Sequence, residues 1–304
     1  MKDARHELRH PFSPPLPVFH GPGGNTPITP QCVEAAHYLQ PYLDEYYDCL
    51  TIENLEIGTF LIEATRPPTG KVYASSLDVG CGPTLLYWGL FMHPCVTHHG
   101  IDVLPTNLEA VKAEINSARN GVVHRRYQEI CDYFGDAGDP IRFLNLCERV
   151  GRLEAVDASG IWPFATGDIN VVTMLFSIEV LPTTEALERS LMEAKRVLSD
   201  GGRLVLVSLC DTLSWKIGEY TGRCLCLDSE LLFLSLERAG FTDVVVERKM
   251  AVTASSKGQG YQWMLFVKAN AGNSQGNRIW EAPPSALPGA NLLKRLPNMV
   301  KKVL

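Results

Sequence analysis

Apolar and polar positions along most of the chain follow one of two periods, that of a strand or that of a helix. Seven runs have a strand-like pattern, at residues 74–80, 96–103, 153–158, 169–176, 203–209, 243–250 and 261–269. Four stretches with helical spacing lie between them, at residues 105–119, 142–150, 183–198 and 228–239. Strands that alternate with helices indicate the α/β class and an open, Rossmann-like sheet. The first strands are almost wholly apolar, which is typical of central parallel strands covered on both faces.

The last two strand-like runs are joined by the short loop 257–260, which leaves no room for a crossover helix. They are predicted to pair antiparallel, so the sheet of seven strands is mostly parallel with one antiparallel edge strand. Residues 31–269 are predicted to form a single domain that begins with helices over 31–65. The Pro- and Gly-rich residues 1–30 are predicted to be a flexible lead-in, and 270–304 a tail with a short amphipathic helix.

Composition narrows the class of protein. The chain has 304 residues, a formal net charge of −6 and 45% hydrophobic residues, as a globular domain with a full core does. The negative charge argues against a nucleic-acid partner, and no apolar run approaches the roughly 18 residues of a membrane span. The nine cysteines are odd in number and include no C-x-x-C pair, so neither disulfides nor a metal site are predicted. We expect a cytoplasmic protein that is a monomer or homodimer and contains reduced thiols.

The stretch LDVGCGPT, residues 77–84, takes a predicted strand directly into a helical pattern. Gly80 and Gly82 allow a tight turn and a close approach of backbone to a ligand. The N-terminus of the following helix would point its N–H groups at that ligand. A dinucleotide fingerprint requires a third glycine where Leu85 stands, which disfavours an NAD-dependent oxidoreductase.

Two aspartates lie at the ends of the next two predicted strands. Asp102 can accept hydrogen bonds from both hydroxyls of a ribose, and Asp157 can accept one from an adenine amino group. Each has an ordinary structural alternative, because an aspartate at a strand end also caps helices and forms turns.

These motifs together carry a resemblance. LDVGCGPT followed by GID and VDA resembles the class I S-adenosylmethionine-dependent methyltransferases. The G-x-G-P-T form and PYLDEYYD, residues 41–48, are similar to the family of nicotinamide, phenylethanolamine and indolethylamine N-methyltransferases. The similarity covers roughly residues 38–268, and it implies that the helices over 31–65 form a lid over S-adenosylmethionine.

The resemblance also implies a set of cofactor-binding residues. They are Tyr42, Tyr47, Gly80, Gly82, Thr84, Asp102, Asn107, Asp157 and Ala158. The two tyrosines would close over the methionine portion of the cofactor, although tyrosines on a helix can equally be core aromatics.

The methyl acceptor should lie where the fourth and fifth strands end. Glu179 and Asp211 follow those strands and match, within one residue, substrate carboxylates of the phenylethanolamine enzymes, so both are candidate catalytic residues. Either could instead cap the following helix. Ser208 stands where nicotinamide-type enzymes carry an aspartate, which makes nicotinamide a less favoured substrate. The candidate aromatic walls of the substrate pocket are Phe176, Trp215 and Tyr220.

The sequence therefore predicts transfer of a methyl group from S-adenosylmethionine to a small aromatic or heterocyclic acceptor by in-line displacement. An aryl amine nitrogen and an indole-type ring both fit a pocket with two carboxylates. The alternatives are C-methylation of an indole carbon in secondary metabolism and a non-catalytic S-adenosylmethionine-binding protein.

Overall fold

The computed structural model describes residues 19–20, 27–28, 39–47, 52–68, 72–87, 95–122, 127, 140–217, 220–251 and 261–272. In chain order the elements are β1 (Phe19–His20), β2 (Pro27–Ile28), α1 (Leu39–Tyr46), α2 (Ile52–Ala64), β3 (Ser75–Val79), β4 (Thr97–Asp102), α3 (Pro105–Arg119), α4 (Pro140–Arg149), β5 (Val150–Ala155), β6 (Ile169–Leu175), α5 (Thr184–Val197), β7 (Leu198–Cys210), β8 (Ser214–Ile217), β9 (Tyr220–Arg223), α6 (Ser229–Arg238), β10 (Thr242–Met250) and β11 (Trp263–Asn270). The predicted helix of the tail lies outside the described residues. No described helix combines the length and the apolarity that crossing a membrane requires.

Seven strands form the main sheet, in the order β10-β11-β7-β6-β3-β4-β5. The pairs from β5 across to β7 are parallel, whereas β11 runs antiparallel to both β7 and β10. The predicted Rossmann-like sheet with an antiparallel pair at one edge is confirmed. The antiparallel strand β11 lies one position in from the edge, and β10 is outermost. Since β3 pairs with β4 on one side and β6 on the other, the strand order reverses at β3, where open α/β sheets bind ligands.

Local chemistry sets the element boundaries. Helix α5 begins where the Thr183 side chain accepts a hydrogen bond from the Ala186 N–H, and α6 begins with an equivalent cap at Asp228. The third parallel strand, β5, ends at Ala155 instead of continuing to residue 158 as predicted. It ends early because Asp157 accepts hydrogen bonds from the N–H and hydroxyl of Ser159 and turns the chain.

A second, four-stranded antiparallel sheet has the order β2-β1-β9-β8, and β8 contacts α1. The sequence pattern does not predict it. Its strands β1 and β2 lie within the Pro- and Gly-rich residues 1–30 and pair with each other, and β1 also pairs with β9. The small sheet thus brings the N-terminal segment and the chain after β7 to the side of the helix predicted to be a lid.

Candidate active site

The glycine turn after β3 is tied to the neighbouring strand. The N–H groups of Gly80 and Cys81 both donate to the Ile101 carbonyl, at 2.8 and 3.0 Å. Gly80 and Gly82 have φ angles of +69° and +65°, which glycine adopts without strain. A Cβ at Gly80 would lie 2.5 Å from the Cβ of Ser177, whereas the nearest described atom to a Cβ at Gly82 is the Tyr47 hydroxyl, at 4.0 Å. Gly82 therefore faces open space beneath α1.

Asp102 joins the glycine turn to the start of α3. Its carboxylate is buried and accepts hydrogen bonds from the Gly82 N–H at 2.9 Å, the Leu104 N–H at 2.8 Å and the Asn107 amide at 3.1 Å. Burial raises the pKa of this carboxyl and the three hydrogen bonds oppose that effect. The structure thus brings together Gly82, Asp102 and Asn107, and Asp102 supports both the turn and the helix start.

Two buried polar atoms beside this turn have no hydrogen-bond partner among the described residues, namely Asn107 Oδ1 and Ser177 Oγ. Buried polar groups are normally satisfied, so these atoms fit a site that receives a polar ligand. A ribose hydroxyl beside Asp102 would satisfy Asn107, and a charged amino-acid group beside Gly80 would satisfy Ser177. Sequence analysis missed Ser177, for which the signal was a small polar residue directly after the apolar strand β6.

The segment after β5 lies at the same edge of the sheet. The Val156 N–H donates to the Asp102 carbonyl at 2.9 Å, which places the following turn next to Asp102. Asp157 is exposed in this turn, and the carbonyl of the partly buried Ala158 accepts from the Trp162 indole at 3.1 Å. Both predicted adenine-side residues are therefore close in space to the predicted ribose carboxylate.

Aromatic side chains cover the glycine turn. We call Tyr42, Tyr46, Tyr47, Tyr87 and Phe176 the aromatic lid cluster. The ring centroids of neighbouring members are 5.2 to 6.4 Å apart. The hydroxyl oxygens of Tyr42 and Tyr47 lie 3.4 Å from each other. The cluster extends from α1 through Tyr87, which lies shortly after the glycine turn, to Phe176, which directly follows β6.

The pKa of Tyr42 is affected by two nearby carboxylates. Loss of hydration raises the pKa of its hydroxyl to about 12, with smaller contributions in the same direction from the charges of Asp102 and Glu179. The charges of both carboxylates, one at the predicted cofactor side and one at the predicted acceptor side, therefore act on Tyr42.

Glu179 is buried, with 1% of its surface exposed, and its charge contributes to the raised pKa of Tyr42. Its Oε2 accepts a hydrogen bond from the Ser208 hydroxyl at 3.0 Å. Burial raises the pKa of Glu179 to about 7, although hydrogen bonds from its own N–H, Ser208 and the Leu209 N–H act in the opposite direction. Thr183 caps the following helix, so Glu179 is not a capping residue.

Asp211 lies in a different environment. Its side chain is 41% exposed and forms an ion pair with Arg248, whose guanidinium stacks on Trp263 at 4.3 Å. No described contact joins Asp211 to Glu179 or to the aromatic lid cluster. Asp228 caps the next helix, so capping does not explain Asp211 either.

The other predicted residues are placed as follows. Phe176 belongs to the aromatic lid cluster and has a φ angle of +53°. Trp215 on β8 is buried and packs over Gly222, while the side chain of Tyr220 lies outside the described residues. Thr84 is buried and accepts a hydrogen bond from the Leu86 N–H at 3.2 Å, so it holds the end of the glycine turn.

Comparison with known proteins identifies a methyltransferase domain and similar folds. Residues 77–206 match the family model of a methyltransferase domain. The fold is similar to that of the [4+2]-cyclase SpnF, at 15% identity over 86% of this chain and 100% of that chain, with a TM-score of 0.52. A possible histamine N-methyltransferase from Thermotoga maritima matches at 14% identity over 78% and 95% of the two chains, with a TM-score of 0.47. No curated protein matches the sequence.

The matched segment begins within β3 and ends within β7, so it includes the glycine turn, Asp102 and Glu179. The chain is an S-adenosylmethionine-dependent methyltransferase, and S-adenosylmethionine is its cofactor. The cyclase shares the fold at low identity, and fold alone does not determine a reaction. The narrower resemblance to N-methyltransferases stays a prediction.

Proposed function

We propose that this enzyme methylates a nitrogen of a small aromatic or heterocyclic acceptor and that Glu179 accepts the proton that the nitrogen loses. The observation that carries this proposal is a buried carboxyl with a pKa of about 7, whose charge raises the pKa of Tyr42 in the aromatic lid cluster. A general base is most effective when its pKa is close to the working pH. At neutral pH Glu179 is therefore ionised in a substantial fraction of molecules and can take up a proton.

The surroundings of Glu179 favour an acceptor that is aromatic and not anionic. Tyr42, Tyr87 and Phe176 belong to the aromatic lid cluster, whose neighbouring ring centroids are 5.4 to 6.4 Å apart. In our proposal an aromatic acceptor packs against these rings. Asp102 and Glu179 both raise the pKa of Tyr42, so they create a negative potential under the lid. Such a space attracts a cationic amine or a polar N–H, and aromatic faces stabilise cations further. It repels an acceptor that carries phosphate or diphosphate.

The cofactor supplies an electrophilic methyl group attached to a positively charged sulfur. In our proposal Asp102 and Asn107 hold its ribose hydroxyls, and Asp157 and Ala158 border its adenine. Gly80 and Gly82 allow its close approach, while Thr84 fixes the turn that carries them.

Tyr42 and Tyr47 cover the methionine end and exclude water. Methyl transfer by in-line displacement depends mainly on such orientation and dryness. We assign no step to Asp211, because Arg248 already occupies its carboxylate. Phe176 and Trp215 border the acceptor in this proposal.

The test is a cofactor titration followed by an acceptor screen. Calorimetry with S-adenosylhomocysteine should show binding, and NAD should show none. Methyl-¹³C S-adenosylmethionine is then offered with tryptamine, aniline, 3-methylindole and geranyl diphosphate. The ¹³C shift of the product distinguishes an N-methyl from a C-methyl group.

We expect N-methylation of tryptamine or aniline, and Glu179→Gln should greatly reduce it. Transfer to the ring carbon of 3-methylindole would instead establish the C-methylation alternative. Transfer to geranyl diphosphate alone would overturn the proposed acceptor class. A cytoplasmic location, the absence of a nucleic-acid partner and a monomeric or homodimeric state stay predictions from the sequence.

A further inference from the structure

We propose that Ser208 is a positioning residue that orients the Glu179 carboxylate for its reaction. This inference rests on the proposed function, since it assigns a role to the residue that supports the proposed base. Ser208 lies on β7, next to β6, whose end carries Glu179 toward the lid.

A serine is unexpected at this place in the sheet. Ser208 is fully buried, and its strand neighbours Val207 and Leu209 are buried and apolar. An unpaired hydroxyl in such surroundings is unfavourable, so its partner matters. Two acceptors lie within hydrogen-bond distance of the Ser208 hydroxyl. Glu179 Oε2 is 3.0 Å away and the Leu209 carbonyl oxygen is 3.1 Å away. It has one proton to donate, and a carboxylate is the stronger acceptor.

The hydrogen bond fixes the carboxylate from the side of β7. The Leu209 N–H and the Glu179 N–H also lower the pKa of this carboxyl, while the Ser208 hydroxyl donates to its Oε2 at 3.0 Å. The backbone N–H groups are present whichever residues stand at these positions. The hydroxyl donor, in contrast, depends on the identity of residue 208. Ser208→Ala therefore removes one donor to the carboxylate and leaves the backbone donors in place.

Removal of the hydroxyl has a predictable effect on protonation. A hydrogen bond to the charged form of an acid lowers its pKa, so its loss raises the pKa of Glu179 above about 7. The described titratable groups that face Glu179 are Tyr42 from α1 and Cys224 from the segment after β9. Burial raises the pKa of Tyr42 to about 12 and also raises the pKa of Cys224, so neither group changes charge near neutral pH.

The test is an infrared titration that needs no acceptor. The C=O stretch of protonated Glu179 is isolated by subtracting spectra of Glu179→Gln recorded at the same pH. This subtraction also cancels Asp78, a second buried carboxyl with a pKa of about 8. In Ser208→Ala the midpoint should move up by about one pH unit. Ser208→Thr, which keeps a hydroxyl, should return it toward the wild-type value.

Ser190→Ala is the matched control, because Ser190 is equally buried, lies on α5 and has no hydrogen-bond partner among the described residues. Its midpoint should equal that of the wild type. An unchanged midpoint in Ser208→Ala, or equal shifts in the alanine and threonine variants, would overturn the positioning role. The proposed function fails separately if Glu179→Gln methylates tryptamine and aniline at the wild-type rate while the Ser208→Ala shift is present.

Discussion

Glu179 and Asp211 follow adjacent parallel strands of one sheet, yet they lie in opposite environments. Glu179 has 1% of its surface exposed and is held by neutral donors, among them the Ser208 hydroxyl. Asp211 has a side chain that is 41% exposed and is paired with the cation of Arg248. A position directly after a strand therefore does not determine whether a carboxylate is buried or exposed, or which partners it has. The elements that pack over that position determine both.

The covering elements are identifiable. The Leu225 N–H donates to the Glu179 carbonyl, so the segment after β9 is fixed to the end of β6, and Tyr42 on α1 faces the same carboxyl. Asp211 is instead reached by a side chain from the outermost strand, β10, and stays open to water. Burial among neutral donors raises the pKa of the Glu179 carboxyl, whereas Asp211 forms an exposed ion pair, a kind of contact that contributes little to stability.

The largest expected difference between the two carboxylates is in catalysis. Glu179→Gln should lower methyl transfer by about 10²- to 10⁴-fold, the usual contribution of a general base, while affinity for S-adenosylhomocysteine is retained. Asp211→Asn should change the rate by less than about threefold, since its carboxylate is occupied by Arg248. Initial rates with a ¹³C-methyl cofactor and calorimetric affinities measure both. Equal losses of methyl-transfer rate in Glu179→Gln and Asp211→Asn would show that the two carboxylates do not differ in catalysis.

The next difference is in stability against pH. The pKa of Glu179 is raised from 4.5 to about 7, so its neutral form is favoured by folding. The stability that it contributes is fully present below about pH 4.5 and is lost as the pH rises through about 7. Glu179→Gln cannot ionise, so at pH 8.5 it should be up to about 3 kcal/mol more stable than the wild type. Urea denaturation at both pH values measures this difference.

Two outcomes check that argument. At pH 4.5 the wild type and Glu179→Gln should unfold at the same urea concentration, because Glu179 is then neutral. At pH 8.5 Asp211→Asn should not gain stability as Glu179→Gln does, because it removes an exposed ion pair. A glutamine variant that is less stable than the wild type at pH 8.5 would show that the fold does not oppose the charge of Glu179.

The contrast also shows how far sequence can predict such a site. The sheet and the pairing of the glycine turn with Asp102 were predictable, because continuous apolar runs and a strand-to-helix motif are local signals. The contact between Ser208 and Glu179 joins residues 29 positions apart on neighbouring strands, and no local pattern indicates it. Strands β1 and β2 have two residues each, too few for a periodic signal. Since the small sheet was not predictable, neither was the different cover over the two carboxylates.

A smaller effect concerns the pH dependence of turnover. The proposed base must be ionised to accept a proton, so kcat/KM should rise about tenfold per pH unit below about 7 and level off above it. Aniline is the suitable acceptor, because it stays neutral across this window. Asp211→Asn should show the same profile at nearly the same height. A profile that is flat from pH 5.5 to 8.5 in the wild type would exclude Glu179 as the base.

The smallest effect belongs to the ion pair itself. Asp211→Asn should lower the free energy of unfolding by less than about 1 kcal/mol at low salt, and the difference should shrink at high salt, because exposed ion pairs are weak and screened. Arg248→Ala should cost about 0.5–1 kcal/mol more, since it also removes the guanidinium from the Trp263 ring. Urea denaturation at two salt concentrations separates these contributions. If Asp211→Asn cost several kcal/mol independently of salt, Asp211 would be as firmly enclosed as Glu179, and the cover over each strand end could no longer explain their difference.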